Sequence, residues 1–395
     1  MKLVGLFSGI GGIELGFERA LGRAVETQLL CEWWSPAQQV LRSRFPAVEI
    51  HPDVRELRDL PTGCDVVAAG FPCTDLSQAG RTAGISGTQS SLVSHVFDAL
   101  RVVEKQARPL PWLLIENVPN MLALDRGLAM RYLVEELEAL GYRWAYRVVD
   151  SRFTGVPQRR RRVLLVASKS EDPRGVLFAD DAGPRSGDEL AHDAYGFYWT
   201  EGRGGLGWAE DAVPTLKGGS TIGIPSPPAV WVPGAQPGRK FVVPLVEDAE
   251  QMQGFPRGWT IPAHRGELKN GPRWKLVGNA VTVGVAAWVA ERLAVPSQPV
   301  APSRQWRGPA AWPPAAWGEN GAVHAVAVSE YPRLAPYQHV LEVVDRDTAP
   351  ALSHRAASGF ARRLQQGNLG RTVGFREDIA EHVDALGLGM ESLVV

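Results

Sequence analysis

Met1-Lys2-Leu3-Val4-Gly5-Leu6-Phe7-Ser8-Gly9-Ile10-Gly11-Gly12-Ile13-Glu14-Leu15-Gly16-Phe17 sets the frame for the rest of the chain. Residues 3–7 form an apolar run the length of a buried strand. Three glycines then make a turn, and Ile13, Phe17, Ala20 and Leu21 follow at helical spacing. Strand, glycine turn and helix in that order are one unit of an open α/β sheet. Outward from it the pattern repeats: residues 27–31, 65–69, 112–115 and 163–167 read as strands, 92–104 and 129–140 as helices. This alternation over residues 1–168 predicts a doubly wound, mainly parallel sheet, whose ligand sits at the carboxyl ends of the strands.

After residue 168 the composition shifts to Gly, Pro and Trp, with turn-rich pieces at 217–220 and 225–228. We expect a small loop-rich domain over 169–256 and a return to the first domain over 257–295, where a helical run occupies 276–293. Residues 296–320, rich in Pro, Ala and Trp, read as a linker. Residues 321–395 read as an appended α/β region, with strand-like segments at 323–328 and 340–344 and helical patterns at 355–364 and 376–386.

The 395 residues are 45% hydrophobic and 22% charged, which excludes a disordered or fibrous chain. Lys and Arg number 42 against 43 Asp and Glu, so a surface for nucleic acid has to be local. Cys31, Cys64 and Cys73 show no CxxC and no matching His spacing, which excludes a disulfide framework and disfavours a metal site. We expect a reducing, cytoplasmic setting, no signal peptide, and no run of about 18 apolar residues to span a membrane.

The glycine turn admits a nucleotide-like ligand to free N–H groups at a helix start. Glu14 stands where a dinucleotide fingerprint carries its third glycine, which argues against a pyrophosphate. Glu32, at the end of the next strand, can bind ribose hydroxyls, and Asp53 can receive an adenine amino group. Cys73 follows Pro72 at a strand end and opens a polar loop, where nucleophiles sit. Arg159 to Arg162 enter a strand, so Arg160 and Arg162 share one face and Arg159 and Arg161 the other, and one pair can face the site. Glu116 ends another strand. The eight histidines are scattered, so this is no Cys–His hydrolase. A thiolate beside a proton-carrying carboxyl suits addition to an electron-poor pyrimidine.

These residues resemble the C5-cytosine DNA methyltransferase family over most of 1–295. Phe7 to Gly12, Gly70-Phe71-Pro72-Cys73, Glu116-Asn117-Val118, Gln158 to Arg162, Gln253-Gly254-Phe255-Pro256 and Gly278-Asn279-Ala280-Val281 follow the family's motif order. Thr74 departs from the Gln of many relatives. The resemblance implies a Rossmann-like methyltransferase using S-adenosylmethionine. Phe7, Gly9, Gly11, Glu32, Trp33, Asp53, Leu92 and Asn279 would line the cofactor; Cys73, Glu116, Arg160 and Arg162 would act on a flipped cytosine.

It also implies a target-recognition domain reading duplex DNA. Arg203, Lys217, Ser220 and Thr221 are candidate base contacts, with Ser77, Arg81, Gln158 and Lys275 as further DNA contacts. Five Lys and Arg against one acid over 257–275, with Trp259 and Trp274 interleaved, predict a basic patch for phosphates. We expect a monomer, no metal, and a cognate restriction endonuclease acting separately. The alternatives are a tRNA cytosine methyltransferase of the same family, a catalytically silent DNA-binding relative and, more distantly, a nicotinamide oxidoreductase.

Overall fold

Lys2–Leu6 (β1) is the hinge of the topology. Leu3 packs into one hydrophobic cluster and Val4 and Leu6 into another, the period-two split of a strand covered on both faces. Parallel to β1 run Glu26–Cys31 (β2), Glu49–His51 (β3), Val66–Ala69 (β4) and Trp112–Asn117 (β5), in spatial order β3-β2-β1-β4-β5. Helices α1 (Gly12–Leu21), α2 (Ser35–Arg44) and α3 (Leu92–Lys105) lie on the crossovers. The chain runs outward from β1 in one direction and restarts at β4 in the other, so a crevice opens between the carboxyl ends of β1 and β4. The computed structural model describes residues 1–71, 92–201, 204–218, 226–263, 271–308 and 311–391.

Beyond β5 the sheet changes character. Arg161–Ser168 (β7) is antiparallel both to β5 and to Arg143–Asp150 (β6). Ala315–Glu319 (β9) then pairs with β6, Ala322–Val326 (β10) with β9, and Ser303–Gln305 (β8) closes the edge, making ten strands. This corrects the expected linker at 296–320 and the appended domain at 321–395, because β8, β9 and β10 belong to the main sheet. Trp312 fixes them: its indole donates to Gly127 O at 3.2 Å and its ring stacks on Trp306. The buried Arg147 guanidinium in β6 donates to Leu177 O, Asp180 O and Ser329 O and pairs with Asp181. It ties the segment after β10 to the sheet.

The chain divides into two compact units, the first of residues 1–154, 161–184 and 280–334, the second of 155–160, 185–279 and 335–395. The second contains a four-stranded antiparallel sheet ordered Ala209–Glu210, Tyr195–Phe197, Ala229–Trp231 and Phe241–Val242. Helices His354–Gly367 and Phe375–Glu391 cover it, with Phe360 and Phe375 packed among Phe197, Trp231 and Phe241. These two helices are thus part of the second unit's core. Val340–Val343 is a helical turn and not the expected strand, capped by His339, whose Nδ1 accepts from Leu341 N. Pro272–Ala294 is long and apolar enough to cross a membrane by composition. Its most apolar window is 67% buried in the protein, and the stretch is two helices, Gly271–Asn279 and Val283–Ala294, interrupted at residues 280–282.

Candidate active site

A cavity of about 280 Å³ opens at the carboxyl ends of β1 and β2, lined by Phe7, Cys31, Glu32, Trp33, Asp53, Val54, Arg55 and Leu92. Phe7 holds a left-handed backbone (φ 57°), rare for a residue with a side chain and common where strain serves a site; Gly9 and Gly11 continue the turn at φ 56° and 81°. Glu32 clamps it: Oε2 accepts from Gly9 N at 2.9 Å and Oε1 from Trp34 N at 2.8 Å. Burial pushes the Glu32 carboxyl up, and those N–H donors act against the rise. Trp33 presents a large flat ring to the cavity, 74% exposed.

Asp53 caps the short turn Val54–Glu56 and is grasped at both oxygens by Arg55, which holds its carboxyl below the usual range. Expected from the sequence were Phe7, Glu32, Trp33, Asp53 and Leu92; Cys31, Val54 and Arg55 were missed. Asp53 followed by an N–H two residues on is a capping signal that could have flagged Arg55.

Glu14 departs from expectation. It does not stand in the path of a pyrophosphate but lies buried at 1% exposure, folded back against β1. A methyl group on Gly5 would meet its Oε1 at 1.9 Å, so only glycine leaves it room.

At the end of β5, Glu116 Oε1 pairs with Arg162 Nε at 2.8 Å. Burial works against the Arg162 charge and Glu116 offsets it. Glu116 Oε2 lies beside Gly70, at the end of β4 and three residues before Cys73 in sequence. Asn117 joins the two strand ends: its Nδ2 donates to Phe71 O at 3.0 Å and its Oδ1 accepts from Val118 N. Phe71 in turn meets the Phe7 ring edge-on at 6.1 Å. The motif Glu116-Asn117-Val118 was read for its carboxylate alone, and the amide beside it was missed.

Several expected contacts are turned inward. Arg160 and Arg162 alternate as the strand requires, yet Arg160 belongs to the second unit and is 1% exposed, donating to Leu216 O and Gly278 O. It braces that unit rather than presenting itself to a base. Gln158 is fully buried: it donates to Met252 O and Gln253 Oε1 and accepts from Leu216 N, which removes it as a DNA contact. The basic patch is also reduced, since Arg257 pairs with Asp248, Arg273 is buried against Glu247 and Glu250, and Trp259 and Trp274 are buried.

Lys217 is accessible, paired with Glu201 and lying 3.9 Å over the Tyr198 ring. Gly278 packs so closely on Lys217 that a Cβ would come within 2.4 Å of its backbone, which places exposed Lys275 and Asn279 beside Lys217. Cys73, Ser77, Arg81, Arg203, Ser220 and Thr221 lie outside the described residues.

The sequence profile of the C-5 cytosine-specific DNA methylase family matches residues 1–182. The chain is 47% identical over 371 residues to the Type II methyltransferase M2.BsuMI of Bacillus subtilis (strain 168), covering 92% of this chain and 93% of that protein. It is 26% identical over 313 residues to the Type II methyltransferase M.MspI of Moraxella sp, covering 74% of this chain and 70% of that one. Among solved structures, the Dnmt2 methyltransferase of S. pombe superposes with a TM-score of 0.53 at 15% identity, over 74% of this chain and 97% of that one. At that identity the likeness is one of fold.

Proposed function

Since the chain belongs to the C-5 cytosine-specific DNA methylase family and is a DNA cytosine-C5 methyltransferase, we propose that it uses S-adenosylmethionine, with Cys73 as nucleophile and a flipped-out cytosine in duplex DNA as substrate. The observation that carries this reading is the Glu116 carboxylate, held by Arg162 beside Gly70 at the strand end that leads to Cys73.

The cavity suits the donor. Glu32 has the position for ribose hydroxyls, Asp53 for an adenine amino group, and Phe7, Trp33 and Leu92 for the faces and edge of the base. Asn279 and the Gly9–Gly11 turn complete the set by resemblance. Bound there, S-adenosylmethionine supplies a methyl group on a sulfonium sulfur for C5. The Cys73 thiolate bonds to C6 and the C5–C6 electron pair moves onto C5, while the Glu116 carboxyl holds a proton at N3 and the amino group. Arg162 orients that carboxylate. Loss of the C5 proton to solvent base returns the pair to the ring and expels the Cys73 thiolate. The base must leave the stack to be reached, at a cost of about a few kcal/mol.

Lys217 and Lys275 are the described residues we assign to DNA, with Ser77, Arg81, Arg203, Ser220 and Thr221 completing the recognition surface. We place the enzyme in the bacterial cytoplasm, beside a cognate restriction endonuclease.

Transfer of labelled methyl groups to duplex DNA and not to tRNA, lost in Cys73→Ala, is the expected result. Transfer to tRNA alone would favour the RNA enzyme, and binding of DNA without transfer would favour a silent relative. Bisulfite sequencing of DNA from an expressing host then reads the recognition sequence.

A further inference from the structure

Glu14 is used by nothing in this reaction, yet it sits in the first turn of α1, directly after the glycine turn that wraps the cofactor cavity. It is 1% exposed and neither carboxylate oxygen receives a full hydrogen bond, the Ser8 hydroxyl and Glu14's own backbone N–H offsetting only part of the effect of burial. The hydroxyl of Ser8, also buried and without a full hydrogen bond, is its nearest polar neighbour, both lying against Gly5.

The charged groups that act on it are acidic: Glu18, one turn along the same helix, and Glu32 at the end of β2. The other elements packed around α1 bring apolar groups, with Leu3 of β1, Val66 and Ala68 of β4, and Val285, Ala286 and Val289 of the helix Val283–Ala294 (α4) sharing a cluster with Ile13 and Phe17. Among the described residues no cation acts on this carboxylate. Burial holds its carboxyl up at about 7, where a modest positive potential changes its ionisation.

The methyl donor assigned above is a cation at sulfur, and the product it leaves is a neutral thioether. We propose that Glu14 is the buried counter-charge of the methyl-donor site: it gives a proton to solvent when the sulfonium ligand binds and takes one back when the thioether product replaces it, so that the site discriminates donor from product by charge. This rests on the cofactor reading above. The discrimination is electrostatic and acts through the wall of the glycine turn, so it needs no hydrogen bond from Glu14 to either ligand.

The test is calorimetric titration of the protein with S-adenosylmethionine and with S-adenosylhomocysteine, at pH 7, in buffers of different ionisation enthalpy. The wild type is expected to release roughly half a proton more with the sulfonium ligand than with the thioether. In Glu14→Gln that excess vanishes and the donor-to-product affinity ratio falls roughly tenfold. Equal proton release for the two ligands in the wild type, or an unchanged excess in Glu14→Gln, overturns the proposal. The wild-type comparison alone decides it if the variant does not fold. Failure of both ligands to bind would overturn the cofactor reading, and this proposal with it, and is distinguishable because no heat appears with either.

Discussion

Two buried glutamates, one in each unit, make opposite uses of the same side chain. Glu250, fully buried in the last turn of the helix Val246–Met252, accepts from the backbone N–H groups of Gly258, Trp259 and Thr260 and from the Thr260 hydroxyl, and pairs with Arg273. Glu14 is buried as deeply beside the glycine turn and has no such set of donors. A buried charge that is fully partnered is part of the architecture; one left unpartnered next to a ligand cavity is available for chemistry.

The comparison breaks most visibly at Glu250. Glu250→Ala takes from the buried Arg273 one of its two carboxylate partners, leaving Glu247, and removes the acceptor of three backbone N–H groups, and denaturant unfolding should show a loss of about 3–5 kcal/mol. A loss below about 1 kcal/mol would mean the knot contributes little.

Glu14 should behave in the opposite sense. Its carboxyl is raised from 4.5 to about 7, so its neutral form is favoured in the fold; the stability this preserves is whole below pH 4.5 and is lost as pH climbs through 7. Wild-type stability should drop by about 2–3 kcal/mol more between pH 5 and pH 8 than that of Glu14→Gln, read from unfolding curves at the two pH values. Parallel pH profiles would place Glu14 with Glu250 as a merely structural group.

Glu32 stands between the two, with two backbone donors and one side open to the cavity. Glu32→Gln should keep the fold and weaken S-adenosylmethionine binding by about 1.5 kcal/mol, roughly tenfold, in a direct titration. The smallest effect belongs to the exposed Lys217–Glu201 pair. Lys217→Ala should leave thermal stability unchanged and weaken DNA binding by about 1 kcal/mol, with a shallower salt dependence if the contact is to phosphate or relaxed specificity at one base pair if it is to a base edge.

Residues whose placement follows from strand ends were legible in the sequence. Glu32 and Glu116 each follow an apolar run, Asp53 lies in the loop after the next segment, and strand order carries all three to one edge of the sheet. What escaped was set by partners far along the chain. β6 carries Arg147 in its middle and does not read as a buried strand; its guanidinium is satisfied by carbonyls at Leu177, Asp180 and Ser329.

The Pro- and Trp-rich stretch around Trp312 reads as a linker because its pairing strand lies more than a hundred residues earlier. Gln158, Arg160 and Arg273 look like surface groups until the carbonyls and carboxylates that bury them are known. Glu14 misled for a related reason: spacing placed it in the path of a pyrophosphate, and the missing Cβ of Gly5 leaves room for it against the strand instead.

The most direct measurement of the central claim is incubation with duplex DNA carrying 5-fluorocytosine in the recognition sequence, in the presence of S-adenosylmethionine. Fluorine at C5 blocks the final elimination, so a covalent protein–DNA adduct should accumulate, require the cofactor, and be absent in Cys73→Ala. A wild-type enzyme that methylates ordinary DNA yet forms no adduct, or an adduct that persists without Cys73, would contradict the mechanism.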